Sequence, residues 1–165
     1  MTLSESLIAE LKQEAHTTRR VLERVPENNL AWKPHPKSLS LGQLAIHIAR
    51  LPRAIADLLS ESVREVPTVP LPEGKTTAET LAMLEDSVAY ATATLGRWGD
   101  AELEAPWTMT REGKTLFQVR RIDMIRSIML NHWYHHRGQL TVYLRILDIP
   151  LPSVYGASAD ETPFA

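Results

Sequence analysis

Apolar residues recur along this chain at spacings of three and four, the period that lines one face of an α-helix. Leu7, Ile8, Leu11, Ala15, Thr18, Leu22 and Val25 make one such stripe, which ends at Pro26 and the polar pair Asn28–Asn29. The following LAWKPHPKSLS carries Pro34 and Pro36 two residues apart, a pair that predicts an extended connection. Ser40 with Gln43 has the pattern of a capping box. From it Leu41, Leu44, Ala45, Ile48, Leu51, Ile55 and Leu58 trace a second helix. Pro52 falls inside that helix and lacks the N–H that would reach the Ile48 carbonyl, so a kink and not a stop is expected. VPTVPLPEGK, with Pro67, Pro70, Pro72 and Gly74, reads as a crossing loop. Thr76 and Glu79 predict a second capping box, opening a third helix through Leu81, Leu84, Val88, Ala91 and Leu95 to Gly96 or Gly99. Glu112–Gly113, between two short β-favouring runs, predicts a small hairpin. A fourth helix is expected from near Val119 to about Leu147, on the stripe Ile125, Met129, His132, His136, Tyr143 and Leu147, with Pro150 and Pro152 stopping it.

Four long helices without a strand pattern sufficient for a sheet predict an all-α fold, a four-helix bundle occupying residues 1–165 as one domain. The long connections between helices one and two and between two and three leave room for a crossover. Composition changes the picture mainly by exclusion. The 165 residues are 44% hydrophobic and 23% charged, which is globular. A net charge of -2 argues against nucleic acid and anionic membrane as partners. Cysteine is absent, which removes disulfides, thiolate ligands and a cysteine nucleophile. The first sixteen residues lack the basic start and apolar core of a signal peptide, and no run of 18 apolar residues occurs, so a cytoplasmic protein is expected.

Candidate chemistry lies in the histidines, of which there are six. His132 and His136 are four apart on the expected fourth helix, which puts both imidazoles on one face about 6 Å apart along the axis. That is the spacing at which two rings can chelate one divalent ion. His135 sits on the adjacent line and reads as a flanking residue. A lone pair of this kind often lies on a wet face and binds nothing. Here it continues the apolar stripe, where a buried imidazole needs a partner. His47 stands in the apolar context AIHIA of helix two. Alone it would read as a core histidine bonded to a carbonyl, but a single cation could satisfy all three rings. Three nitrogens plus water would be an open, catalysis-type site. Arg137 and Gln139 could hold the ligands or a substrate anion, or equally sit in exposed salt bridges. Gly138 could allow close approach or only ordinary packing. Trp32, Trp107 and Trp133 could line a pocket, with core packing the better reading. Tyr155 could reach over the site or merely anchor the tail.

Two segments, WKPHPKSLSLGQLAIHIARLP and HWYHHRGQLTVYLRILDIPLPSVYGASADE, resemble the DinB-like (YfiT-like) family. The first carries the Trp-x-Pro stretch, the Leu-Gly helix start and a histidine five residues after the glycine. The second carries the HxxxHRGQ run and the YLR…P…YG tail. Asp148 stands where relatives often have glycine, and Ala157 where they often have proline. The resemblance implies an up-down-down-up bundle, often a homodimer. It implies a metal triad of His47, His132 and His136 with water completing the shell, and nickel or zinc as the ion. It also implies a small-molecule substrate and, in some relatives, a low-molecular-weight thiol.

Two functions follow from these readings. One is a metal-dependent enzyme, a thiol-dependent S-transferase or a hydrolase, in which the metal lowers the pKa of a bound water or thiol. The other is a non-catalytic metal-binding or stress-related homodimeric helical module.

Overall fold

The computed structural model describes residues 1–69, 71–74 and 76–163, so Pro70 of the expected crossing loop lies outside the described residues. Helix α1 spans Leu3–Leu22, opened by a capping box between Thr2 and Glu5, and a 3-10 turn follows at Glu27–Asn29. Helix α2 spans Leu41–Leu58, and the capping box expected at Ser40 and Gln43 is present in both directions. The connection before it closes on its first turn. The Leu41 and Gly42 N–H groups donate to the carbonyls of Trp32 and Leu30 at 2.9 Å each, so donors that no helical carbonyl can reach are satisfied. Gly42 permits this approach: a Cβ there would lie 3.2 Å from Leu30 and from the Gly74 nitrogen.

Helix α2 continues through Pro52. The carbonyl that proline leaves free, that of Ile48, accepts a 2.9 Å hydrogen bond from the Trp133 indole N–H. The neighbouring Arg53 N–H is taken by Ser87 Oγ at 2.9 Å. Helix α3 spans Thr77–Leu95, with the Thr76 hydroxyl accepting from the Glu79 N–H and Gly96 at its end. A short helix α4 follows at Asp100–Glu104.

Strands β2 (Pro106–Arg111) and β3 (Lys114–Arg120) form the expected hairpin. Glu112 and Gly113 turn it with φ of 51° and 73°, the two left-handed residues of a type I′ turn. A third strand, β1 (Val63–Glu65), pairs parallel to β2. This three-stranded sheet, in the order β1-β2-β3, corrects the all-α expectation. Three residues are too few for an alternation signal, and their partner lies more than forty positions away. The last helical rod also starts later than expected, because β3 runs to Arg120. It consists of α5 (Arg121–Met124), a wider π-helical stretch (Ile125–Asn131) and α6 (His132–Ile146).

The molecule is therefore mostly helical with a small sheet. Helix α2 packs on α3, α6 and the π-helical stretch, while α1 packs on α3, α4 and α6. The core between them includes Leu7, Leu11, Leu44, Ile48, Leu84, Leu95, Trp107, Trp133 and Leu140. Trp107 and Trp133 thus belong to the core, whereas Trp32 is half-buried with its ring edge-on to Tyr143 at 5.6 Å. Asp148 has φ 57°. It closes α6 in a Schellman motif, with the Ile149 N–H on the Leu144 carbonyl and its own N–H on that of Arg145. A left-handed position of this kind favours glycine, and Asp148 occupies it as one of the few other residue types that tolerate it. Among the described residues, no helix is long and apolar enough to cross a membrane.

Candidate metal centre

The deepest line of the last rod runs Met129, Trp133, Arg137, Leu140 and Leu144. His132 and His136 stand one position before Trp133 and Arg137, on a neighbouring line that is half-buried and faces α2. This refines the expected stripe, in which both histidines shared the core line. The π-helical stretch sits directly before His132. A π turn takes more residues than an α turn, so it shifts the register between Ile125 and the histidines, a device frequent at functional sites.

His47 approaches from α2. Its ring centroid lies 5.5 Å from that of His132 and 4.6 Å from that of His136. The His132 and His136 rings are 4.4 Å apart. One nitrogen from each of the three lies within 4.8 Å of the others, a group that could hold a metal ion. Among the described residues the group includes no carboxylate and no fourth histidine. The pairing of α2 with α6 is held near these rings by the Trp133 bond to the Ile48 carbonyl, one residue from His47. Pro52 was the sequence signal for that bond.

The tautomers give a test of fit. Gln139 Oε1 accepts from His136 Nδ1 at 3.0 Å, so His136 Nε2 presents a lone pair. The 2.7 Å contact between the Nε2 atoms of His136 and His132 then requires His132 Nε2 to donate. His132 Nδ1 is left as a buried lone pair without a hydrogen-bond partner, although it lies close enough to the Ile128 carbonyl to feel its charge. With a cation among the three nitrogens, both Nε2 lone pairs are used and the His132 proton sits on Nδ1, facing that carbonyl. The residues present therefore fit a metal ion. Gln139 is held in turn by its amide, which donates to the Tyr143 hydroxyl at 3.4 Å, and that hydroxyl reaches the Leu39 carbonyl at 3.4 Å.

All three histidines are kept neutral. Burial pushes the His47 pKa down to about 4, helped by the charges of His136, His132 and Arg50. Burial is also the main cause of the lowered values of His132 and His136, with His135 adding to both. His135 itself is exposed, 5.0 Å from His136 between ring centroids, and flanks the group as expected.

The other candidates belong elsewhere. Arg137 faces α1, where it forms an ion pair of 2.6 Å with Glu14, the two side chains being 2% and 11% exposed. It also donates to the Thr18 hydroxyl at 3.1 Å and to Tyr155. This corrects the alternatives of a ligand-holding residue and an exposed salt bridge. Tyr155 donates to Glu14 at 2.9 Å, so it anchors the tail to α1 and does not cover the histidines. Gly138 meets neither a helix nor a cavity wall, since a Cβ added there would find nothing within 4 Å.

A cavity of about 770 Å³ opens beside the centre, with His47 and His132 in its wall. Its apolar lining includes Ile46, Leu51, Met83, Met109, Phe117 and Ile128. The hairpin supplies Met109 and Phe117, and the loop after β1 supplies Pro67, Val69 and Leu71. The strand missed by pattern reading thus helps to build the wall.

A family model described as the DinB family matches residues 1–162. The chain is 25% identical over 153 residues to the Uncharacterized protein YrdA of Bacillus subtilis strain 168, covering 90% of this chain and 85% of that protein. Among solved structures, a DinB-like protein from Bacillus cereus ATCC 10987 aligns with a TM-score of 0.72 at 21% identity. That alignment covers 93% of this chain and 98% of the other. The DinB-like protein YjoA of Bacillus subtilis aligns with a TM-score of 0.65 at 17% identity, over 87% and 92% of the two chains.

Proposed function

Because the chain belongs to the DinB family, we propose that His47, His132 and His136 hold one divalent metal ion. We read the site as that of a metal-dependent enzyme, a thiol-dependent S-transferase or a hydrolase. The observation that carries this reading is the convergence of three neutral imidazoles, one nitrogen of each lying within 4.8 Å of the others. Nickel and zinc both suit an all-imidazole donor set. When bound, the ion supplies Lewis-acid chemistry, lowering the pKa of a water or small thiol that shares its open side.

The chain's own residues prepare that chemistry. The depressed histidine pKa values keep the nitrogen lone pairs available at neutral pH. Gln139 fixes the tautomer of His136 and orients its ring. The apolar wall limits competing water and gives a small-molecule substrate a surface to bury. An up-down-down-up arrangement of the long helices, a cytoplasmic location and a homodimer are part of the same reading. Val142 and Ile146, 58% and 57% exposed and one turn apart on α6, are surface that a second copy could cover.

The test is turnover of small electrophiles by zinc- and nickel-loaded protein, with and without a low-molecular-weight thiol. Turnover that needs the thiol supports the transferase, and turnover without it supports the hydrolase. A non-catalytic metal-binding module is the second reading, favoured by the lack of any carboxylate in the histidine group, among the described residues, to act as a base. It predicts that a folded His132→Ala protein loses metal and thermal stability while no electrophile is turned over by either form.

A further inference from the structure

The cavity wall carries three arginines as well as its apolar side chains. Arg53 is paired with Asp86 at 2.6 Å and lies over the Tyr90 ring. Arg64 is paired with Glu61 at 3.2 Å and Asp57 at 3.5 Å. Arg50, half-buried on α2 and three residues after His47, has no ion pair or hydrogen bond among the described residues. A guanidinium set in an apolar wall gives up hydration, and an anion that reaches it restores the balance. Residues three apart on a helix have neighbouring Cβ atoms, about 5–6 Å apart, so Arg50 and His47 share one stretch of the cavity wall.

The geometry points to a substrate with an apolar body and one carboxylate, the body lying along the methionine- and phenylalanine-lined wall and the carboxylate on Arg50. This deepens the proposed function and rests on its reading of the cavity as the substrate site. A carboxylate matches the planar guanidinium fork with two parallel hydrogen bonds. A phosphate dianion would bring a second charge to a wall whose other cations are already paired. Met83, Met109 and Met124 line the same space and can adapt to the shape of the apolar part.

The test is titration calorimetry of the full chain with 4-phenylbutyrate, its neutral counterpart 4-phenylbutanol, and phenylbutyl phosphate. It is run on metal-depleted protein, so that no carboxylate binds through an ion, and repeated with zinc present. We expect phenylbutyrate to bind metal-depleted protein about tenfold more tightly than the alcohol, the scale of one charge-assisted contact. Arg50→Gln should abolish that preference and Arg50→Lys should keep part of it, while Arg53→Gln, on the same wall, should leave it intact. Equal binding of acid and alcohol, no binding of either, a preference for the phosphate, or an undiminished preference in folded Arg50→Gln protein overturns the assignment. Zinc titration of the same proteins separates the two claims. Failure of zinc to bind defeats the metal centre and leaves the carboxylate result to stand on its own.

Discussion

The two sides of α6 present opposite solutions to the same problem, a polar group taken out of water. Toward α1, Arg137 is almost completely buried yet fully engaged, with Glu14, Thr18 and Tyr155 as partners and the Tyr134 and Tyr155 rings about its guanidinium. Toward α2, one nitrogen from each of His47, His132 and His136 lies within 4.8 Å of the others, and the opposite nitrogen of His132, beside the Ile128 carbonyl, has no hydrogen-bond partner. A closed network belongs to the architecture. An incomplete one on the next line of the same helix marks a place built for something from outside.

The contrast breaks most visibly on the α1 side. Arg137→Met should lower stability by about 3 kcal/mol, since it leaves the Glu14 carboxylate buried beside an apolar side chain. Urea unfolding reads the loss, and zinc affinity of the folded variant should stay within about twofold, because Arg137 does not touch the histidines. On the α2 side, His132→Ala should do the reverse. Zinc affinity by calorimetry should fall roughly 100-fold or more, while stability of the metal-depleted protein changes by less than about 1 kcal/mol. A strongly destabilised metal-free His132→Ala protein would mean that the histidine group is architecture after all.

Gln139→Leu sharpens the same point at a smaller scale. It removes the acceptor that holds the proton on His136 Nδ1, and zinc binding should weaken about tenfold. Acidity provides a further test. The folded histidine pKa values are lowered, that of His47 to about 4, so the folded state resists protons that the unfolded chain takes up near pH 6.5. Stability of the metal-free protein should therefore be fully present above pH 6.5 and decline as the pH falls toward 4. The decline should be shallower in His47→Ala, measured by urea midpoints. For the same reason zinc affinity should hold below pH 6.5 and fall only as the pH nears the depressed values. The smallest effect belongs to Gly138, which is exposed in mid-helix with open space around it. Gly138→Ala should stabilise by about 0.5–1 kcal/mol without altering zinc binding.

Much of this was legible because the signals are local. Ser40 and Gln43 announce α2 within four residues, Glu112–Gly113 announce the hairpin, and His132 and His136 share a face by spacing alone. Pro52 even identified the carbonyl, that of Ile48, which Trp133 later fills. What escaped depends on distant partners. Arg137 reads as a surface residue until Glu14, on α1 and more than a hundred positions earlier, is brought to it. β1 exists only through its pairing with β2. The π-helical stretch moves His132 and His136 off the core line, a shift in register that no apolar period reveals. Arg50 carried a weak signal, a cation one turn after His47 in an apolar helix, whose meaning needed the cavity.

One ion shared by imidazoles from α2 and α6 is the feature on which the proposed chemistry depends. X-ray absorption at the zinc edge, on protein carrying one equivalent of zinc, tests this most directly. The predicted shell has three imidazole nitrogens at about 2.0–2.1 Å and at least one exchangeable oxygen, falling to two imidazoles in His47→Ala. A shell of oxygens alone, or one unchanged by His47→Ala, would contradict it.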